Sequence, residues 1–310
     1  MASYFDPFFS YANPFFNYTP SSPAAIALTV VFFTLTSLHI ALLTYTKRLF
    51  AVPFILGGAA EFAGYIARTV SCYDLDNLHS YTAQSVTILC APIVLNGAIH
   101  IFFGQVIAAS TFNRYSILRP IFISNILCWA DAFGMLFQVW GTIKLIDPDD
   151  EDEIRWSNNI ICGGLALQVA VTVVFFVFAT VFHSRMKKHN VISLTKPRLR
   201  FSLSMYTMYL ASILTLIRTI FRMIQYAQGD PGYFMQHEWP AFAFDAGCMG
   251  LLMCIGILWY GADTDVPEEP NTERQLDVPL DRLASVSHAD AVQIKSKFDG
   301  RIGQRTVITV

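Results

Sequence analysis

Charged residues in the middle of apolar runs are the first candidates for chemistry in this chain. Glu61, Asp131, Arg218, Arg222 and Asp245 each sit inside a long hydrophobic stretch, with Arg68 at the end of the one that holds Glu61 and Glu238 just before the one that holds Asp245. A charge near a bilayer centre costs at least ~2.5–3.5 kcal/mol on insertion scales, so such residues are kept for pairing, ligand binding or transport. Arg218 and Arg222 are spaced i,i+4, which puts both guanidinium groups on one helix face. Their natural partners are Glu61, Asp131, Asp245 and Glu238. Gln84 and Gln168 add hydrogen-bonding groups in two further stretches, and Gln138 adds one in the stretch that holds Asp131. Two chemistries fit the set: a buried ion-pair network that fixes helix positions, or a polar cavity that binds a head group or a counter-charged ligand.

The elements that must position these residues are membrane spans. The 310-residue chain is 54% hydrophobic and only 14% charged, against about 25% charged in a typical soluble domain. Its mean hydropathy is +0.45. Seven stretches are long enough to cross the bilayer: 23–45, 50–69, 79–109, 119–145, 159–183, 201–224 and 240–261. Each holds roughly the 20 apolar residues that a spanning helix needs. They are continuously apolar rather than alternating, which argues for helices over barrel strands. The third is overlong, and Pro92 within it predicts a kink. The fold expected is therefore all-α, a polytopic membrane protein with seven transmembrane helices.

The connections set an orientation. Lys47 and Arg48 mark the first, Arg114 and Arg119 the third, and Arg185, Lys187, Lys188, Lys196, Arg198 and Arg200 the fifth. The second and sixth lack Lys and Arg, and the fourth carries the acidic run Asp147–Glu153, expected to be a solvated loop without the spacing of a calcium site. Basic connections face the cytoplasm. The N-terminus is thus expected outside and the C-terminus cytoplasmic, with the chain divided into an extracellular segment 1–22, a membrane domain 23–261 and a disordered tail 262–310. By depth along each span, the polar residues converge on the outer half of the membrane.

Other features are weaker. Asn17 heads the one N-x-[ST] sequon, on the outward segment, but it lies close to the first span and Pro20 follows. Cys72 and Cys162 both fall near the outer face, where either a disulfide or two free thiols fits. His39 and His100 have no acidic neighbour one turn away and read as helix-packing residues, so no metal site is expected. Ser285 and Ser287 lie in the solvated tail. There is no H-E-x-x-H, G-x-S-x-G or Walker-type glycine loop, which argues against a hydrolase and against ATP-driven transport by this chain alone. No cofactor and no nucleic-acid partner is expected.

The polar residues also carry a resemblance. The stretch from Glu61 through Gly64 and Tyr65 to Arg68, Gln84 with Ala91-Pro92, Asp131 with Gln138 and Gly141, and Gly163-Gly164 with Gln168 occur in order along the chain. Arg218, Arg222, Gly229, His237-Glu238 and Phe244-Asp245 complete the series. In this order they resemble the RTA-like family of fungal membrane proteins, the lipid-translocating exporters, over roughly residues 25–261. Two positions depart from the family pattern: Gln225 stands where a Glu is usual, and Phe244 where a Tyr is usual. The first puts in doubt an Arg222–carboxylate pair within the sixth span.

The resemblance implies a protein that moves or releases amphipathic lipids, such as sphingoid long-chain bases or toxic amphiphiles, with membrane lipids or amphipathic small molecules as its partners. It also implies a place in the plasma membrane or an internal one. Three carboxylates inside the spans outnumber the two arginines, which leaves one for a cationic amine. Two other readings stand beside the exporter. A seven-span receptor has the same topology, but Ser110–Arg114 is not an Asp-Arg-Tyr sequence and the seventh span has no N-P-x-x-Y. An intramembrane lipid enzyme would need a nucleophile or metal site that the sequence does not offer.

Overall fold

The computed structural model describes residues 18–110, 116, 120–146, 150–189, 192, 195, 199–229 and 232–264. Asn17, Arg114, Arg119, Asp147, Lys196, Arg198, Ser285 and Ser287 lie outside the described residues. Seven long helices account for almost all of the rest: α1 Ser22–Thr46, α2 Ala51–Tyr73, α3 Leu78–Ala109, α4 Pro120–Ile146, α5 Glu151–Lys188, α6 Phe201–Gln228 and α7 Ala241–Trp259. There is no strand among the described residues.

Local chemistry explains the helix ends. Pro23 presets the first turn of α1. Lys47 ends that helix in the left-handed region (φ 55°), its N–H donating to Leu43 O at 2.7 Å. Asn77 Oδ1 caps α3 by accepting from Ser80 N at 3.1 Å. Asp150 does the same for α5, accepting from Glu153 N at 2.8 Å. With Glu151, Asp152 and Glu153 in its first turn and Arg185, Lys187 and Lys188 in its last, α5 matches the helix dipole at both ends. This corrects one expectation. The acidic run is not all loop: its latter half is the cap and first turn of a 38-residue helix that starts well before residue 159.

Among the described residues, six helices are long and apolar enough to cross a membrane. The other, α2, is long enough at 23 residues, but Glu61, Arg68 and three glycines dilute its apolar character. Both charges are buried. The chain is an integral, multi-pass helical membrane protein.

The helices close into a ring in sequence order, with α7 packing on both α6 and α1, while α3 also reaches across to α6. In α3, 67% of the apolar window is buried, against 17% in α1, so α3 is the central helix. Large exposed side chains such as Phe33, Trp129, Val177, Leu210 and Leu251 cover the outer faces of the other helices, whereas on α3 only Leu78 of this class is exposed. That is the surface expected where lipid replaces water. At the Thr46–Ala51 end the core is aromatic: Trp259 stacks on Phe102 at 4.4 Å and donates Nε1–H to Thr207 Oγ1 at 2.9 Å.

A polar site built from α2, α3, α6 and α7

Arg218 and Arg222 lie one turn apart on α6 and face α7, where a single carboxylate meets both. Arg218 Nε donates to Asp245 Oδ1 at 2.7 Å, and Arg222 Nη2 pairs with Asp245 Oδ2. Arg218 is completely buried and Asp245 nearly so. Asp245 reaches this position because α7 opens with a π-helical turn, Ala241–Ala246, closed by Gly247 N–H donating to Phe242 O. Such turns insert a residue into the helix and re-aim side chains, and they gather at functional sites.

Arg218 has a second task. Pro92 has no N–H, so the Ile88 carbonyl in α3 loses its helical partner. Arg218 Nη2 replaces it, donating to Ile88 O at 3.1 Å and standing 3.5 Å from Leu89 O. A helix break in an apolar environment is tolerated when a neighbouring helix supplies the missing hydrogen bond. Pro92 and Arg218 are therefore one feature, split between two helices.

Glu61 comes to the same place from α2. Gly57 and Gly64 flank it on one helix face. A Cβ on Gly57 would lie 2.6 Å from Leu95 Cγ, and one on Gly64 would lie 2.6 Å from Ile88 Cγ1, so this face is pressed against α3. Glu61 is 1% exposed, and neither carboxylate oxygen has a hydrogen-bond partner. It lies within electrostatic range of Asp245, Arg218 and Arg222. Two guanidiniums against the carboxylate of Asp245 alone leave one positive charge, which Glu61 balances without touching it. Arg218 Nη1 and Arg222 Nε are also unpartnered.

A second ionic knot ties the neighbouring helix ends together. Arg68 Nη2 donates to Glu238 Oε1 at 2.6 Å and to Tyr18 Oη at 2.8 Å, with its guanidinium 5.5 Å from the centre of the Phe242 ring. Glu238 in turn accepts from Ser21 N at 3.0 Å, placing a negative charge at the N-terminus of α1.

The sequence suggests one polar level, and the structure divides it. Glu61, Arg218, Arg222 and Asp245 gather, and Arg68 pairs with Glu238. Asp131 is not an arginine partner: it accepts from Asn96 Nδ2 at 2.6 Å and lies 3.6 Å from His100 Nδ1. Gln138 belongs to the α4–α5 contact, where Gly134 and Gly164 bring the backbones close, and Gln168 lies one turn on from Gly164 on α5. Both amides, and Gln84 Oε1 on α3, are buried without a hydrogen-bond partner. Gln225 keeps the contact that its substitution put in doubt, because Arg222 Nη1 donates to Gln225 Oε1 at 3.2 Å. Phe244 packs on Phe221 at 5.7 Å.

Cys72 and Cys162 are free thiols, and Cys162 Sγ faces the Met223 carbonyl of α6 at 3.7 Å instead of α2. His39 packs as expected, stacked on Phe54 at 4.7 Å and bonded to Tyr260 and the Met253 carbonyl. Among the described residues no three of His, Cys, Asp and Glu gather closely enough to hold a metal. Asn96, the role of His100 and the Ile88 carbonyl were missed from sequence. For the last a signal existed: a proline four residues on frees a carbonyl, which then calls for a donor.

The family described as RTA1 like protein matches residues 54–263. Protoporphyrin uptake protein 1 of Saccharomyces cerevisiae is 24% identical over 272 residues, covering 76% of this chain and 88% of that protein. Protein RTM1 of the same yeast is 24% identical, covering 78% and 90%. The sphingoid long-chain base transporter RSB1 is 23% identical, covering 79% and 74%. No solved structure matches significantly. The family match spans all the helices from α2 to α7 and most of the chain, and the chain belongs to the RTA1-like family of membrane proteins.

Proposed function

We propose that this protein translocates or releases amphipathic lipids, and that Glu61 receives the cationic head group of its substrate. The observation that supports this most directly is the state of Glu61: a buried carboxylate whose two oxygens have no hydrogen-bond partner, beside two arginines that both bond Asp245 and not Glu61. A buried carboxylate without partners is costly to maintain. An alkylammonium would supply the missing hydrogen bonds. A sphingoid long-chain base, the cargo in the name of one relative, carries an amine and hydroxyls. The unpartnered N–H groups of Arg218 Nη1 and Arg222 Nε suit the hydroxyl oxygens.

Seven crossings, with the N-terminus outside and the C-terminus cytoplasmic, fit the seven helices and the charges of their connections. The site then faces the outer half of the membrane, and the plasma membrane is the membrane proposed. Entry to Glu61 requires movement, and the two irregular points at this level, Pro92 in α3 and the π-helical turn of α7, are where the helices can give. A receptor for an amphiphile would use the same pocket without releasing its ligand on the other side.

Binding tests the site. With purified protein in lipid nanodiscs, a fluorescent long-chain base is expected to bind, and Glu61→Gln to weaken it by about tenfold or more, roughly 1.4 kcal/mol. The N-acetylated base, which has lost its cation, is expected to bind as poorly to the unchanged protein. Equal binding of both compounds to both proteins would exclude Glu61 as the head-group site.

A further inference from the structure

Asp131 forms a separate site with His100. One face of α4 runs along α3 through three side chains. Ser124 Oγ donates to His100 O at 2.7 Å, Cys128 Sγ lies 3.9 Å from Gly97 O, and Asp131 Oδ2 accepts from Asn96 Nδ2 at 2.6 Å. These contacts fix Asp131 against the turn of α3 that carries His100. The His100 ring packs on Phe175 of α5 at 5.1 Å, and its Nδ1 is 3.6 Å from Asp131 Oδ2. Asp131 is 2% exposed and His100 1%.

Three polar atoms here have no hydrogen-bond partner: Asp131 Oδ1, His100 Nδ1 and His100 Nε2. The titratable groups facing Asp131 are His100 from α3 and Cys128 from its own helix, while α5 sets the apolar Phe175 against the His100 ring. No lysine or arginine among the described residues pairs with either Asp131 or His100. The contrast with Asp245 is direct: that carboxylate has two guanidiniums, and Asp131 has an amide and an imidazole. An enclosed carboxylate without a cation is neutralised by a proton, either on itself or on a base beside it. Asp131 and His100 are such an acid and base, close enough to exchange a proton after a small side-chain rotation.

We propose that Asp131 and His100 form an exchangeable proton site, and that its loading and unloading couple amphiphile movement to a proton gradient. The site takes up one proton from one side of the membrane. It then holds a carboxylic acid beside a neutral imidazole, and it is neutral in that form. Releasing the proton to the other side leaves a single enclosed negative charge, which favours a conformation that opens the α3–α4 contact to water. No electron is transferred and no covalent bond other than that to the proton is made or broken. Loss of the proton thus biases the same helix, α3, that carries Pro92 and lines the Glu61 site. The coupling half of the proposal rests on the transport reading, whereas the proton site itself does not.

Infrared titration of the purified, full-length protein tests the site directly. In a Glu61→Gln background, which removes the other enclosed unpartnered acid, a carboxylic-acid carbonyl band is expected that fades reversibly as the medium is made alkaline. It should be absent from Asp131→Asn, which keeps the shape and the acceptor for Asn96, and should titrate at a different pH in His100→Gln. A titrating band that survives unchanged in Asp131→Asn, or no titrating band at all, overturns the proton site. In proteoliposomes loaded with radiolabelled sphinganine, an imposed pH gradient is expected to change the flux of the otherwise unaltered protein severalfold, and to leave that of Asp131→Asn unaffected. A gradient response retained by Asp131→Asn overturns the coupling. Absence of protein-dependent flux under every condition overturns the transport reading and the coupling with it, and the infrared result still decides the proton site.

Discussion

Asp245 is the residue on which both arginines of the site depend, since Arg218 and Arg222 share its two oxygens. Removing one partner of a buried ion pair leaves an uncompensated charge and typically costs about 3–5 kcal/mol. Asp245→Asn is therefore expected to lower the stability of the detergent-solubilised protein by about that much. Combining it with Arg222→Gln should recover part of the loss, because one of the stranded charges is gone. Thermal unfolding of the two variants checks this, and a double variant less stable than Asp245→Asn alone would show that Arg222 does not depend on Asp245. At this scale the sequence was informative about residue types and poor about partners. The i,i+4 spacing correctly put both arginines on one face. It could not choose Asp245 over Asp131, because that choice follows from a π-helical turn on α7 and from the amide of Asn96 on α3, and neither leaves a periodicity in the sequence.

Helix contacts in this protein run through glycines and through one proline. At the α4–α5 contact, a Cβ on Gly164 would stand 2.8 Å from the Gly134 carbonyl oxygen, a backbone atom that cannot step aside, while a Cβ on Gly163 meets nothing within 4 Å. Gly164→Ala is thus expected to destabilise by about 1–3 kcal/mol through overpacking. Gly163→Ala is expected to be neutral, or stabilising by up to about 1 kcal/mol from helix propensity. Unfolding midpoints of the pair check the difference, and equal effects would contradict the close α4–α5 approach. Pro92→Ala restores an N–H that can bond Ile88 O, so Arg218 loses its monopoly on that carbonyl. The cost of Arg218→Ala should then fall by about 1 kcal/mol in the Pro92→Ala background, and an unchanged cost would separate the two residues. The helices themselves were legible in the sequence, most within a few residues, because each is an apolar run of bilayer length. The early start of α5 was hidden, since its first turns are polar and are held by Asp150 and the helix dipole rather than by burial.

At the scale of the helix bundle, the ring of helices, with α3 the most enclosed of them, leaves apolar side chains on its outer faces and charges inside, the inverse of a soluble bundle. The proposed topology places the connection after Lys188 and the segment beyond Thr264 on the cytoplasmic side. A fluorescent reporter that matures only in the cytosol is expected to shine when fused after Val310, and a reporter active only outside is expected to be silent there; the opposite pair would invert the topology. The family resemblance was readable from the order of Glu61, Arg68, Arg218, Arg222, Glu238 and Asp245. What their arrangement does with a ligand was not, because Glu61 acquires its meaning only from the partners it lacks. The central claim is that this unpartnered carboxylate takes the amine of an amphipathic substrate during transport. The most direct measurement is release of radiolabelled sphinganine from cells expressing either the unaltered protein or Glu61→Gln at equal surface level. The expected result is release accelerated by the unaltered protein and reduced about tenfold or more toward background by Glu61→Gln. Equal acceleration by both would contradict the claim and leave Glu61 a residue of helix packing alone.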